Sequence, residues 1–376
     1  MRDIVIIGGG YAGVLAAIRA ARLLPRGEFR VRLIDRGDGL IERIRLHEVA
    51  AGRPLPVHSY AKLLRGTGVE HVRGEVESLS LDDASVRLAG GERVRFNRAI
   101  YALGSKGGRA SSPPTRAGRE SFSIGSAGGA LAAADALRKL NDGASVAIVG
   151  GGLTGIETAT EIADAYPSLR ITLIDAGEIG ASLSPRGKAH LRAAFASRGI
   201  ELGEHTIVGE VDDADVVLWC TPFEVSRIAA DAGLAVDRAG RVIVDDHLRS
   251  SDPRILAVGD AASVTIGGTD LLMGCATALP MGAYAGEEVA GVARAPFDFA
   301  YAITCISLGR RDGLVQLRTP DNIARDKIIS GRAGAFVKEM ICRYTILSLR
   351  LERAGVPYRA PGGLLRREVK AEALHA

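Results

Sequence analysis

The feature that most restricts this chain is a pattern that occurs twice. Residues 4–7, Ile-Val-Ile-Ile, lead at once into Gly8-Gly9-Gly10-Tyr11-Ala12-Gly13. Residues 146–149, Val-Ala-Ile-Val, lead into Gly150-Gly151-Gly152-Leu153-Thr154-Gly155. Both turns read G-x-G-x-x-G, with an apolar strand before and a helix-like run after. Gly8 and Gly150 let the chain turn sharply. Gly10 and Gly152 carry no side chain, so a pyrophosphate can approach the backbone. Gly13 and Gly155 let the helix pack close on its strand. The free N–H groups and dipole of each helix then favour phosphate charge. A second apolar run in each unit ends on an acid, Asp35 or Asp175. Each acid lies about 20 residues past the last glycine, where a carboxylate accepts from ribose hydroxyls. One such turn is a weak signal. Its recurrence, with strand, helix and acid in place both times, points to two dinucleotide sites.

The rest of the chain arranges itself around these units. Residues 42–50 are charged and partly helical; their cations could lie near a bound phosphate or cofactor, although most are expected in solvent. His47 is a candidate acid/base group there, although a lone histidine more often serves packing. Residues 72–79, 85–88 and 92–96 alternate and read as an antiparallel meander inserted in the first sheet. Residues 98–104 return as a buried strand ending in glycine. Residues 104–121 are rich in Gly, Ser and Pro and read as a linker. The second unit closes with residues 216–220, and residues 254–260 supply a further buried strand ending in Gly259-Asp260. The expected division is 1–110 with 245–300, an inserted unit 111–244, and a tail 301–376.

Charge and cysteines exclude several functions. Residues 307–376 carry 14 Lys/Arg against 7 Asp/Glu, so the remainder of this +4 chain is net negative. The basic tail suits a solvated surface, anionic lipid or an acidic partner. In a helix over 335–353, Phe336, Val337, Met340, Ile341, Tyr344, Leu347 and Leu351 share one side. Lys338, Glu339, Arg343, Arg350 and Arg353 fall mainly elsewhere. The preferred reading is that this apolar side caps a domain or makes a dimer contact; peripheral membrane contact is the alternative. Nucleic-acid binding is not expected, because stacking aromatics are few. Cys220, Cys275, Cys305 and Cys342 show neither C-x-x-C nor zinc-ligand spacing, so no metal site is expected. The longest uncharged stretch, residues 271–286, is too short to span a bilayer. The first strand begins directly after Met1, and a cytoplasmic protein, peripheral at most to the inner face of the membrane, is expected.

Four matches together carry a resemblance: the first glycine turn with Asp35, Tyr101-Ala102-Leu103-Gly104, the second turn with Asp175, and Val258-Gly259-Asp260-Ala261. Over about residues 1–300 the chain resembles the pyridine nucleotide-disulfide oxidoreductases. Within them it looks most like type II NADH dehydrogenases and apoptosis-inducing-factor-type flavin reductases. The resemblance implies an α/β protein of the glutathione-reductase-like kind. It would have two Rossmann-like domains, the second inserted in the first, and a small C-terminal α+β domain. It also implies FAD on the first unit and a nicotinamide dinucleotide on the second. Gly8, Gly10, Ala12 and Gly13 would cradle the FAD pyrophosphate and Asp35 would hold the adenine ribose. Arg36 and Val76 would lie by the adenine. Ala102, Leu103 and Gly104 would pass close to the FAD, and Gly259-Asp260 would reach its ribityl–phosphate end. Gly150, Gly152 and Gly155 would hold the second pyrophosphate. Glu157 matches the family's Gly-x-Glu glutamate, which lies near the nicotinamide–flavin junction, and is the catalytic candidate.

Asp175 followed by Ala176 favours NADH over NADPH, because an acid there repels a 2′-phosphate. Three departures qualify the resemblance. The redox cysteine pair is missing, which excludes disulfide reduction. The Ala-Gln-x-Ala-x-Gln stretch of type II NADH dehydrogenases is replaced by Ala278-Leu279-Pro280-Met281-Gly282-Ala283. Cys220-Thr221-Pro222-Phe223 lacks the usual glycine. The expected reaction is hydride transfer from NADH to flavin, then to a quinone-like acceptor, with few titratable side chains required. Two alternatives stay open. One is a soluble oxidoreductase acting on a small metabolite or an electron-carrier protein; the other is a slow-turnover flavoprotein redox sensor.

Overall fold

The computed structural model describes residues 1–107, 120–206, 214–220 and 223–359. Short one-turn helices aside, the helices are α1 (Tyr11–Leu23), α2 (Leu46–Ala50), α3 (Ala127–Leu137), α4 (Leu153–Ala165), α5 (Pro185–Ala196), α6 (Cys275–Val289) and α7 (Gly331–Arg353).

Two five-stranded parallel sheets organise the molecule. In the first, Arg2–Ile7 lies between Phe29–Asp35 and Arg98–Tyr101. Glu70–Arg73 and Ile255–Ala257 form the edges. In the second, Ser145–Val149 lies between Arg170–Ile174 and Val216–Trp219, with Glu201–Gly203 and Glu120–Ser123 at the edges. The strands that precede the glycine turns are thus central and nearly solvent-free. Ile4, Val5, Ile6 and Ile7 are buried, as are Val146 to Val149. Burial on both faces is why these runs are continuously apolar rather than alternating.

The meander differs from the expectation in one respect. The run over 72–79 is not one strand. It breaks at Gly74, so Glu70–Arg73 joins the first parallel sheet, while Val76–Ser80 pairs with Ser85–Leu88 and that strand with Arg93–Arg95. A Cβ on Gly74 would sit 2.7 Å from Leu88 Cδ1, so a larger residue at this crossing would push the Leu88 side chain aside. The linker expected over 104–121 begins as the strand Ser105–Gly107, paired antiparallel with Phe223–Val225. Residues 108–119 of that linker, Thr221 and Pro222 lie outside the described residues, as does the tail beyond 359.

Helix α6 packs along α1 through small residues. A Cβ on Gly282 would collide with the Ala12 carbonyl, and one on Gly286 would lie 2.6 Å from Arg19 Cβ. This close approach packs the first half of α1 against the middle and second half of α6.

The tail folds as a three-stranded antiparallel sheet, Ile303–Ser307, Gly313–Arg318 and Ala324–Ser330, followed by α7. It joins both cores. Ile306, Leu308 and Leu314 pack in the core of the second unit, whereas Ile346 and Leu349 of α7 pack in that of the first. Near its end, α7 is locked to α1 by charge. Arg19 Nε and Nη2 donate to the two oxygens of Glu352 at 2.6 and 2.7 Å, and Arg22 Nη1 donates at 3.0 Å. Glu352 is fully buried, so removing its partners would cost about 3–5 kcal/mol.

The face that α7 presents to the protein is not the apolar side read from periodicity. Gly334, Cys342, Thr345, Ile346, Ser348, Leu349 and Glu352 are buried. Phe336, Met340, Tyr344 and Leu347 are exposed. Among the described residues no helix is long and apolar enough to cross a membrane.

Candidate functional site

Each glycine turn has the geometry its sequence requires. Gly8 and Gly150 adopt φ of +109° and +114°. A Cβ on Gly8 would lie 2.7 Å from the Ala102 carbonyl carbon and 2.9 Å from Leu103 Cα, and one on Gly13 would strike the Gly8 carbonyl. A Cβ on Gly10 or Gly152 would meet nothing within 4 Å. These are the glycines whose backbone is open to a ligand.

Helices α1 and α4 start at Gly10 and Gly152 with no side-chain cap and no acid in the first turn. Helices α3 and α5 are instead capped by the Ser126 and Ser184 hydroxyls. The first-turn N–H groups of α1 and α4 are therefore left for an anion. Behind each turn stands the expected acid. Asp35 accepts from the N–H of Gly9 and of Gly37, both at 2.8 Å. Asp175 accepts from Gly151 at 2.5 Å and Gly177 at 2.7 Å. Tyr60, which the sequence did not single out, donates to the Gly9 carbonyl at 2.8 Å and braces the first turn.

Between the two units lies a cavity of about 400 Å³. Of the candidate site residues, Gly10, Ala12, His47, Ala102, Gly104, Glu157, Gly259 and Asp260 line it. The others do not. Gly8, Gly13, Gly150 and Gly155 shape the turns, and Gly152 starts α4 beyond the cavity wall. Leu103 is half-buried behind Gly8; Asp35 and Asp175 stand behind the turns. Arg36 is exposed, and Val76 is half-buried at the start of the meander. Asp260 is fixed at both oxygens: Ser105 Oγ donates to Oδ2 at 2.6 Å and the Gly274 N–H to Oδ1 at 2.9 Å.

The cations of residues 42–50 do not point to solvent as expected. Arg43 lines the cavity and donates to the Ser105 carbonyl at 2.5 Å and the Gly125 carbonyl at 3.2 Å, with its guanidinium over the Phe223 ring. Burial pulls its pKa down, against the attraction of Asp260. Arg45 pairs with Glu42, Glu48 and Glu339.

A buried polar cluster in the cavity wall is assembled from α4, α7, α2 and the strand Ile303–Ser307. Glu157, in the first turns of α4, accepts from Lys338 Nζ of α7 at 2.7 Å and from the Ser307 N–H at 2.9 Å. His47 of α2 brings its Nδ1 to 3.6 Å from the second Glu157 oxygen. Burial alone would raise the Glu157 carboxyl, but the Lys338 ammonium, with the Ser307 N–H, outweighs it and holds it below the ordinary carboxylate range. Burial opposes the charge on Lys338, and Glu157 overcomes that opposition and raises it. Burial lowers His47 against the pull of Glu157, so its imidazole is neutral. Lys338 was placed on the polar side of α7 by periodicity; it faces inward. No local motif marks it.

The four cysteines are free. Burial pushes Cys275 up to about 11 and Cys220 and Cys342 up to about 12. They are thiols rather than nucleophilic thiolates, and no disulfide replaces the missing redox pair among the described residues.

Two glycine-turn units facing one cavity define a protein that brings two nucleotides together. The family model described as pyridine nucleotide-disulphide oxidoreductase matches residues 2–282, and the chain belongs to that family. An NADH dehydrogenase-like protein of Mycobacterium tuberculosis is 30% identical over 327 residues, covering 77% of this chain and 80% of the relative. A type II NADH:quinone oxidoreductase of Haemophilus influenzae is 25% identical, covering 70% and 74%. Among solved structures, the fold is shared with the sulfide:quinone oxidoreductase of Aquifex aeolicus. That match has a TM-score of 0.76 and 19% identity, and covers 94% of this chain and 92% of the other. The chain is an NAD(P)H-dependent flavin oxidoreductase. The open backbone at Gly10, the uncapped start of α1 and the fixed Asp260 fit the flavin nucleotide that this family uses.

Proposed function

We propose that the chain oxidises NADH and passes the electrons to a quinone-like acceptor. The observation that carries this reading is the buried Glu157–Lys338 pair, because one of its members rides on α7, the helix that also exposes an apolar stripe. Residues 1–110 with 245–300 form the FAD-binding unit in this reading, 111–244 the NADH-binding unit and 301–376 the interface unit. Gly8, Gly10, Ala12 and Gly13 cradle the FAD pyrophosphate, and Asp35 holds its ribose. Arg36 and Val76 lie by the adenine, and Ala102, Leu103, Gly104, Gly259 and Asp260 line the rest of its path. Gly150, Gly152 and Gly155 hold the second pyrophosphate, and Asp175 accepts from the free 2′-OH of NADH and repels NADPH.

Bound FAD supplies the hydride acceptor and the electron relay. The chain positions and polarises. Glu157 orients the nicotinamide end and anchors Lys338. The Lys338 ammonium presents a fixed positive charge where an acceptor oxygen gains electron density. Phe336, Met340, Tyr344 and Leu347, flanked by exposed Arg332, Arg343, Arg350 and Arg353, suit a helix lying in the membrane interface, where a quinone would be met. The glutamine-free stretch over 278–283 favours the second reading, a soluble acceptor.

The test is anaerobic. FAD-loaded protein is mixed with NADH while the flavin absorption is followed, and a soluble menaquinone analogue is then added. Rapid bleaching, then rapid recovery over many turnovers, is expected. Bleaching without recovery would remove the quinone and leave the donor half; no bleaching would remove the donor.

A further inference from the structure

One buried group at the site has no part in the function proposed above. The His47 ring lines the cavity and is 4% exposed. Its Nδ1 stands 3.6 Å from Glu157, too far for a hydrogen bond, and its Nε2 is buried without any partner. A buried polar atom left unpaired is costly, because it loses its hydrogen bond to water and gains none. Such an atom in a ligand cavity asks for a partner on the ligand side.

The charges around His47 narrow what it does. Glu157 and Glu161 face it from α4, Glu48 from its own helix, and Lys338 from α7. Arg310 holds Glu161 at 2.6 Å and Glu48 at 3.2 Å. Glu157 and Lys338 hold each other, the carboxyl below its usual range and the ammonium above, so neither exchanges a proton near neutrality. Glu48 and Glu161 are paired to Arg310, and of this group only His47 has a buried polar atom, Nε2, without a partner. A neutral imidazole beside a carboxylate keeps its proton on the nitrogen that faces it, here Nδ1, and leaves the Nε2 lone pair free.

We propose that His47 is the exchangeable proton site of the cavity: its Nε2 takes up a proton when two electrons enter and releases it when they leave. The proposal rests on the reading that the cavity holds the flavin. The proton count supports it. NADH gives a hydride, which is two electrons and one proton. An acceptor of the quinone class takes two electrons and two protons. The second proton comes from solvent, is held on Nε2 against the added negative charge, and goes to the acceptor with the hydride equivalent. Nothing else is consumed.

The test is the pH dependence of the flavin midpoint potential in the FAD-loaded full chain, read by absorption during chemical reduction. Each proton bound per two electrons shifts the potential by about 30 mV per pH unit. The natural protein should show about 60 mV per pH unit between about pH 7 and pH 9, and His47→Gln about half that. An equal slope in both overturns the proposal. Should glutamine disturb the packing, the imidazole C–H resonance of His47 in the natural protein, assigned by its loss in His47→Asn, gives a second reading. It must move to its cationic position on reduction, and a resonance that stays neutral overturns the proposal. Because the reductant is not NADH, a protein that binds FAD but ignores NADH loses its donor assignment while this test still decides. A protein that takes up no FAD overturns both.

Discussion

Lys338 Nζ lies 2.7 Å from Glu157 Oε1, across 181 positions of chain, and ties α7 to α4. Both side chains are largely buried. Lys338→Met and Glu157→Gln should each destabilise by about 3–5 kcal/mol, because each leaves a buried charge alone. The double variant should lose less than the sum. Urea unfolding of the three variants measures this; strict additivity would show that the pair is not coupled. In Lys338→Met, acceptor-dependent turnover should fall about 10- to 100-fold, the worth of one charge-assisted hydrogen bond, and flavin reduction by NADH should fall less.

The same cluster sets how stability varies with pH. Folded His47 sits below its ordinary pKa, so the unfolded chain takes up its proton first. The contribution of His47 is full above about pH 6.5 and is lost as pH falls through the folded value. Glu157 is also depressed, and its contribution is lost below about pH 4.3. Lys338 is raised, so its contribution is present below about pH 10.4 and is lost as pH rises through the folded value. His47→Gln should flatten the decline between about pH 6.5 and pH 5. Urea midpoints across that range decide it; parallel declines in both proteins would contradict the assignment.

Asp175 repeats the geometry of Asp35, with one oxygen on the glycine turn and the other two residues on at Gly177. Asp175→Ala should raise the KM for NADH and narrow the preference over NADPH by about 10- to 100-fold, the equivalent of one hydrogen bond to a charged group. Steady-state kinetics with both nucleotides measures it. An unchanged ratio would remove Asp175 from cofactor choice.

Phe336 is 67% exposed and Leu347 47%. Replacing both by glutamate should leave thermal unfolding within about 1 kcal/mol of the natural protein, because neither packs in the core. It should release the protein from vesicles containing anionic lipid in a sedimentation assay. Equal sedimentation of both proteins would assign the stripe to another partner.

Much of this was legible because it is local. A strand, three glycines and a distant aspartate encode a turn whose sterics involve only neighbouring backbone, and the absence of a Cβ at Gly8 and Gly13 is a requirement the sequence states directly. The site's charge cluster is not local. Glu157 was found by its place after the second turn, His47 only as a candidate, and Lys338 not at all. Periodicity assumes that the most apolar stripe of a helix faces the protein. In α7 that rule fails, because the buried side is made of small and hydroxyl residues, Gly334, Cys342, Thr345 and Ser348, that allow close approach. The sequence leaves Arg43 between solvent and site for a related reason: its partners are backbone carbonyls at Ser105 and Gly125, which no side-chain pattern announces.

Gly313 and Gly334 meet where α7 crosses the middle strand of the tail sheet, and a Cβ on Gly313 would lie 2.6 Å from the Ala335 nitrogen. Lys338 follows Gly334 by about one helical turn. The bare crossing therefore acts as a depth gauge. It lets the helix seat low enough on the sheet for the ammonium to reach a carboxylate on another domain. A single methyl group at either glycine would lift the helix and withdraw that charge, though neither residue touches the cavity.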